Sequence, residues 1–321
     1  MINFLQNILI VPSFYCEKRC KYCFYYDKNN DRTQLDVSLL LSRLDQVIQT
    51  IKSSNIAGLN IGGGGDVSLL SIDYIDQLYS STINWCNQHG VNNNILTVTN
   101  LTNIDIVEHI LKTFNVELNV SLNGQRPFNS QTEADLLKLD RHGRKLTILS
   151  TVFPSLLKTD PKTLLQYYNQ FKPDQVIFNQ YIKSIHSPKH YNVTNQQYCD
   201  FLIKITKKYY DGCYSFDLVN VKERNWVLGL DKLSSADLLI NPYGKYQLTC
   251  YNEDVEYYKQ YDYFNDWLKD TSAEIFDSQR ECVFCKYNSK CASRMIGYDK
   301  KNDICPGLIP FIKFLDEQHR Y

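Results

Sequence analysis

Cys16-Glu17-Lys18-Arg19-Cys20-Lys21-Tyr22-Cys23-Phe24 places three cysteines within eight residues, in the spacing C-x3-C-x2-C. The segment follows directly on an apolar, strand-like run at 8–12. Three crowded thiolates are an odd number for a disulfide framework, and residues 1–15 lack both a basic start and a small-residue cleavage site. A structural zinc site closes with four ligands, and no fourth cysteine or histidine lies nearby. The spacing therefore reads as an iron-sulfur ligand loop, with zinc or plain buried thiols as the alternatives. Three thiolates hold three irons of a [4Fe-4S] cluster and leave the fourth open to a small molecule with its own amine and carboxylate, such as S-adenosylmethionine (SAM).

The rest of the N-terminal two thirds alternates β-branched runs with amphipathic stretches, the pattern of repeated βα units and a parallel sheet. Strands are predicted at 8–12, 58–61, 95–99, 116–121, 145–152 and 175–180. Helices are predicted at 36–51, 72–89, 105–113, 132–142, 161–171 and 195–210, with Asp36 and Pro161 as start residues. In such architectures chemistry collects at the carboxyl ends of strands, where the cysteine segment lies. Beyond residue 211 the alternation stops: 238–251 reads as a hairpin around Asn241-Pro242-Tyr243-Gly244, and the tyrosine-rich 255–269 reads as a helix.

Composition sets limits. With 321 residues, one large α/β unit with an appended module is expected. The 35 basic and 35 acidic side chains cancel, so no global field draws the chain to nucleic acid or to an anionic membrane. No apolar run approaches the roughly 18 residues that span a bilayer. A cytoplasmic location follows as an expectation, and eleven cysteines there point to metal or redox chemistry.

The cysteine segment resembles the signature of the radical SAM superfamily. That resemblance implies a partial (β/α)6 TIM-type barrel over 1–212, with Cys16, Cys20 and Cys23 as cluster ligands and Tyr22 as an aromatic face for the adenine. Gly62 to Gly65, closed by Asp66 and Val67, resembles the family's Gly-Gly-Glu-Pro segment, which implies that Gly63, Gly64, Gly65 and Asp66 meet the SAM amino group. A glycine run alone would also suit a phosphate loop, but no Gly-Lys-Ser/Thr follows. Ser121-Leu122-Asn123-Gly124 resembles the family's Ser-x-Asp-Gly, with Ser121 and Asn123 able to hydrogen-bond ribose or carboxylate. A plain strand-ending turn is the alternative there. Arg126, Ser150 and Thr151 are further candidates near strand ends, and His186 and His190 lie after the sixth strand.

Cys282, Cys285 and Cys291 form C-x2-C-x5-C, and Cys305-Pro306-Gly307 follows. Four thiolates from an irregular tail suit a fully ligated second [4Fe-4S] cluster, with a zinc ribbon as the alternative. The tail, 213–321, resembles the auxiliary-cluster extension called SPASM or its shortened twitch form, in which Cys250 matches a hairpin cysteine while Met295 stands where another thiolate would be. One auxiliary cluster is therefore expected. Cys86 and Cys199 read as packed thiols, and Cys213 is the candidate hydrogen-atom donor.

The resemblance implies oxidative cross-linking or dehydrogenation of a peptide or protein, with flavodoxin or ferredoxin as electron donor. A small sugar, nucleoside or antibiotic precursor is the second substrate class, and a non-catalytic electron-transfer protein the third reading. Peptide-modifying members often carry an N-terminal leader-binding module, whereas the first expected strand here begins at Ile8. A peptide substrate would then need a separate adaptor or direct strand pairing.

Overall fold

The computed structural model describes residues 2–20, 23–122, 131–181, 192–222, 235–248, 259–279, 285 and 308–318. Six strands alternate with six helices. The strands are β1 (Phe4–Ile10), β2 (Leu59–Gly62), β3 (Ile95–Thr99), β4 (Val116–Ser121), β5 (Leu146–Val152) and β6 (Gln175–Gln180). The helices are α1 (Val37–Ile48), α2 (Ile72–His89), α3 (Ile104–Thr113), α4 (Gln131–Lys138), α5 (Pro161–Asn169) and α6 (Asn195–Tyr210). All six strands are parallel and pair in chain order.

Local chemistry sets these boundaries. Asp36 caps α1 by accepting from the Leu39 amide at 2.7 Å, and Val37, Leu40, Leu44 and Val47 then fall on one buried stripe. Helix α2 runs from the Ser71 cap to Gly90, whose φ of 66° suits glycine at a helix end. Asp160 and Pro161 open α5, and Thr194 with Gln197 closes a reciprocal capping box on α6. The sequence extends α4 to His142, but the helix stops at Lys138. Asp140 there accepts from the His142 amide, and His142 and Gly143 take left-handed φ values of 48° and 75°.

The strands alternate between two faces. Ile8, Ile10, Leu59, Ile61, Leu118, Val120, Val176 and Phe178 are fully buried beneath the helices. Thr97 and Ser150 lie on that same face, reaching Tyr79 of α2 at 3.0 Å and Tyr168 of α5 at 2.6 Å. Asn7, Asn60, Asn119 and Thr147 therefore line the opposite, concave face.

Residues past 212 add strands at both sides of this sheet. β7 (Asp217–Leu218) pairs parallel with β6 and leads into a short helix, α7 (Val219–Lys222). β8 (Ser235–Ile240) pairs parallel with β1, and β9 (Tyr246–Leu248) returns antiparallel through the 241–244 turn as the hairpin reading expects. The result is one mostly parallel ten-stranded sheet, a partial barrel left open between its outer strands. The helix expected over 255–269 is instead a short strand, β10 (Gln260–Tyr261), followed by α8 (Phe264–Gln279); residues 255–258 lie outside the described residues. Helix α8 covers β9 and α1, and the last helix, α9 (Ile309–Gln318), covers α6. Among the described residues no helix is long and apolar enough to cross a membrane.

Candidate active site

The carboxyl ends of β1 to β4 stand level, because the parallel register pairs Ile10 with Ile61, Gly62 with Val98 and Thr99 with Val120. Four polar or flexible segments therefore emerge side by side. They are the cysteine loop, the glycine segment, the Thr99–Asn103 turn and Ser121.

The cysteine loop is fastened at its flanks. Phe14, fully buried, stacks on Tyr25 with ring centroids 4.7 Å apart, and both pack with Val11 and Leu239. Lys28 lies over Phe14 at 4.9 Å and over Tyr243 at 5.6 Å, and the Tyr243 hydroxyl hydrogen-bonds Asp31, which ties the β8–β9 turn to the loop. The Cys16 amide donates to the Asn29 carbonyl at 3.1 Å and the Cys23 amide to the Cys20 carbonyl at 2.9 Å. All three thiols are left half-buried. The Tyr25 amide donates to Cys23 Sγ at 3.4 Å. Burial pushes the Cys23 thiol up to about 12, against the pull of the Tyr25 amide and with smaller contributions from Cys20 and Cys16. Binding of iron there would displace the thiol proton.

Among the described residues no three cysteine, histidine or acidic side chains converge on a single ion. A zinc ion needs every thiolate about 2.3 Å from one point. Thiolates of a [4Fe-4S] cluster each bind a different iron, and three half-buried cysteines on one short loop are a donor set of that kind.

The glycine segment lies against this loop. A Cβ on Gly65 would stand 2.5 Å from both the Ser13 and Tyr15 carbonyl oxygens, and one on Gly64 would stand 2.2 Å from Val11 Cγ1. Only glycine permits that approach. Gly63 differs: a Cβ there would meet nothing within 4 Å, although its φ of 88° favours glycine. Gly65→Ala is therefore expected to push the two segments apart, costing about 2–3 kcal/mol or more of stability and lowering reconstituted iron, while Gly63→Ala costs about 1 kcal/mol. Chemical denaturation and iron analysis check this, and equal losses in the two variants would refute it.

Asp66 sits in a network of neighbours that the sequence does not show. It is only 3% exposed. Its Oδ1 accepts from Thr99 Oγ1 at 2.7 Å, Ser68 Oγ at 3.0 Å, the Ser68 amide at 3.2 Å and the Asn100 amide at 3.4 Å, while Oδ2 accepts from Thr102 Oγ1. The carboxylate thus joins the ends of β2 and β3, with four donors on Oδ1 and one on Oδ2. The expected contact with the SAM amine would have to compete with these donors. The turn they hold is itself strained, since Leu101 adopts φ 55°, a left-handed conformation costing roughly 1–3 kcal/mol for a non-glycine residue.

Asn100 is the residue that sequence reading passed over. Its Nδ2 donates to Cys16 Sγ at 3.8 Å, and its carbonyl accepts from Thr132 Oγ1 at 3.4 Å, which also receives the Lys18 ammonium at 3.2 Å. The signal was available: Thr99-Asn100-Leu101-Thr102-Asn103 is a polar cluster directly after a strand.

Other candidates divide by position. Ser121 ends β4 half-buried, level with the cysteine loop, and Thr151 is half-buried on β5. Ser150 faces the helix layer and bonds Tyr168, so it is turned away from the site. Cys86 and Cys199 are fully buried, as packed thiols should be. Cys213 is exposed between α6 and β7, at the end of the sheet where strands begin, and is not brought to the cysteine loop. Tyr22, Asn123, Arg126, His186, His190, Cys250, Cys282, Cys291, Met295 and Cys305 lie outside the described residues; Cys285 is described and half-buried.

No protein-family model matches the sequence, and no curated protein matches it at the sequence level. Solved structures do match. Native anSMEcpe with bound AdoMet and Cp18Cys peptide aligns over 99% of this chain and 96% of its own, with a TM-score of 0.69 and 14% identity. Histidine-tagged anSMEcpe with bound AdoMet aligns over 98% and 97%, with a TM-score of 0.71 and 13% identity. Streptococcus suis SuiB bound to S-adenosylmethionine aligns over 90% of this chain and 72% of its own, with a TM-score of 0.63 and 15% identity. The chain shares the partial-barrel fold of these SAM-bound proteins. At such identities the likeness is one of fold. Within that shared frame, the cysteine loop follows β1 and the glycine segment follows β2.

Proposed function

We propose that this chain is a radical SAM enzyme that oxidatively modifies a peptide or protein substrate by cross-linking or dehydrogenation. The observation that carries the reading is the C-x3-C-x2-C loop at the end of β1, pressed against a glycine segment in which Gly64 and Gly65 leave no room for a Cβ, in a fold shared with SAM-bound proteins. Peptide as substrate is supported by the Cp18Cys peptide held by anSMEcpe.

Cys16, Cys20 and Cys23 would hold the cluster. Such a cluster, once reduced, supplies the electron that splits SAM into methionine and a 5'-deoxyadenosyl radical. The chain's own contribution is placement. Gly63 to Gly65 let backbone come close to the amino acid part of SAM, Tyr22 offers a stacking face, and Ser121 and Asn123 offer hydrogen bonds to its ribose or carboxylate. Phe14 and Tyr25 keep apolar surface beneath the loop, which excludes water from that side. Flavodoxin or ferredoxin would deliver the electron, and a separate adaptor would present a leader-bearing peptide. We assign residues 213–321 as the auxiliary domain, with Cys282, Cys285, Cys291 and Cys305 as ligands of one further [4Fe-4S] cluster and a cytoplasmic location for the whole.

Iron analysis tests the tail. Two clusters give about eight irons per chain, and replacing all four tail cysteines by alanine should leave about four while SAM cleavage continues. Product formation from substrate peptide should fail. Zinc in the tail, or about twelve irons in the wild type, would refute the assignment.

A further inference from the structure

We infer that Asn100 is a positioning residue for the N-terminal cluster, whose side-chain amide donates to the Cys16 thiolate and raises the cluster's reduction potential. The inference rests on the proposed cluster at Cys16, Cys20 and Cys23. Its geometric basis is the 3.8 Å approach of Asn100 Nδ2 to Cys16 Sγ, across 84 residues of sequence.

The surroundings fix from both sides the backbone that carries that amide. The Asn100 N–H is held by Asp66 and its C=O by Thr132, and the Leu101 amide turns back onto Thr99 Oγ1 at 3.0 Å. A leucine in left-handed conformation follows, where glycine would be the unstrained choice. Strain of this kind persists only where the surroundings over-determine it. Here the buried Asp66 carboxylate, with Ser68, Thr99 and Thr102, over-determines a turn whose outward product is one amide aimed at one cysteine. An N–H directed at a ligand sulfur stabilises negative charge on it, and the reduced cluster carries more of that charge than the oxidised one. Removing the donor lowers the potential.

The test is an EPR-monitored redox titration of anaerobically reconstituted full-length protein. The N-terminal cluster's signal is identified as the one that added SAM perturbs. Asn100→Leu keeps the side chain's size and removes the donor, and Asn100→Asp keeps its shape and places negative charge near the sulfur. Iron content should stay at the wild-type level in both. At a fixed potential the ratio of reduced to oxidised cluster should fall about tenfold in Asn100→Leu, a shift of about 59 mV for one electron, and further in Asn100→Asp. Midpoints equal to wild type, or loss of iron in both variants, would overturn the inference, the latter by making Asn100 part of the loop's scaffold. A wild-type protein with no SAM-perturbed cluster signal would instead overturn the functional reading, and that result is read before any substitution is made.

Discussion

Replacing Cys16, Cys20 or Cys23 by alanine is expected to abolish 5'-deoxyadenosine formation from SAM and to remove about four irons per chain. Each substitution takes away one of three protein ligands. The protein should nevertheless stay folded, since Phe14, Tyr25, Val11 and Leu239 anchor the loop independently of its sulfurs. Anaerobic reconstitution, iron analysis and chromatography of the nucleoside product decide the matter. Undiminished turnover in any of the three variants would remove the basis of the functional proposal.

Asp66→Ala should act on folding before it acts on chemistry. It would leave the Ser68, Thr99 and Thr102 hydroxyls and the Asn100 amide without their acceptor, at a position only 3% exposed to solvent. A loss of about 3–5 kcal/mol is expected in urea unfolding. Asp66→Asn keeps the shape and one acceptor, and the Thr102 hydroxyl can turn to accept from the new amide, so the cost should be about 1–2 kcal/mol. A carboxylate whose main partner was the SAM amine would behave otherwise. Stability would then be nearly unchanged in both variants and SAM affinity would fall in both. Paired unfolding and SAM titration curves separate the two roles.

The architecture was legible because hydrophobic period and turn chemistry agree along the barrel. Strands 95–99, 116–121 and 175–180 and helices 72–89 and 195–210 fall where periodicity puts them. The errors at strands sit where pairing with a distant partner overrides period. The first strand starts at Phe4 because its pairing with β8 begins there, a partner more than two hundred residues distant that no local window contains. In 259–263 the tyrosine-rich pattern suits either state, and pairing with β9 makes it a strand. At the site, the cysteine and glycine segments announce themselves by composition. Asp66 was legible as a residue that matters, but its partners were not, because Thr99 and Thr102 are ordinary residues until β3 brings them beside β2. Asn100 was missed for the same reason: a 3.8 Å contact to Cys16 is a property of register between strands.

The place of β1 between β2 and β8 also sets an order of events at birth. Asn7 of β1 hydrogen-bonds Asp237 of β8 at 2.9 Å, a partner made 230 residues later. At about 5–20 residues per second, synthesis leaves that edge of the first strand unpaired for roughly 10–50 s. An open edge of apolar strand invites pairing with the wrong chain. During the same interval the cysteine loop is already made while the β8–β9 turn that will clasp it through Tyr243 is not. The nascent chain therefore passes through a period in which its thiols stand at their most accessible and its sheet at its most vulnerable, and slow translation or oxidative stress should harm this protein most then, before its last third has closed over its beginning.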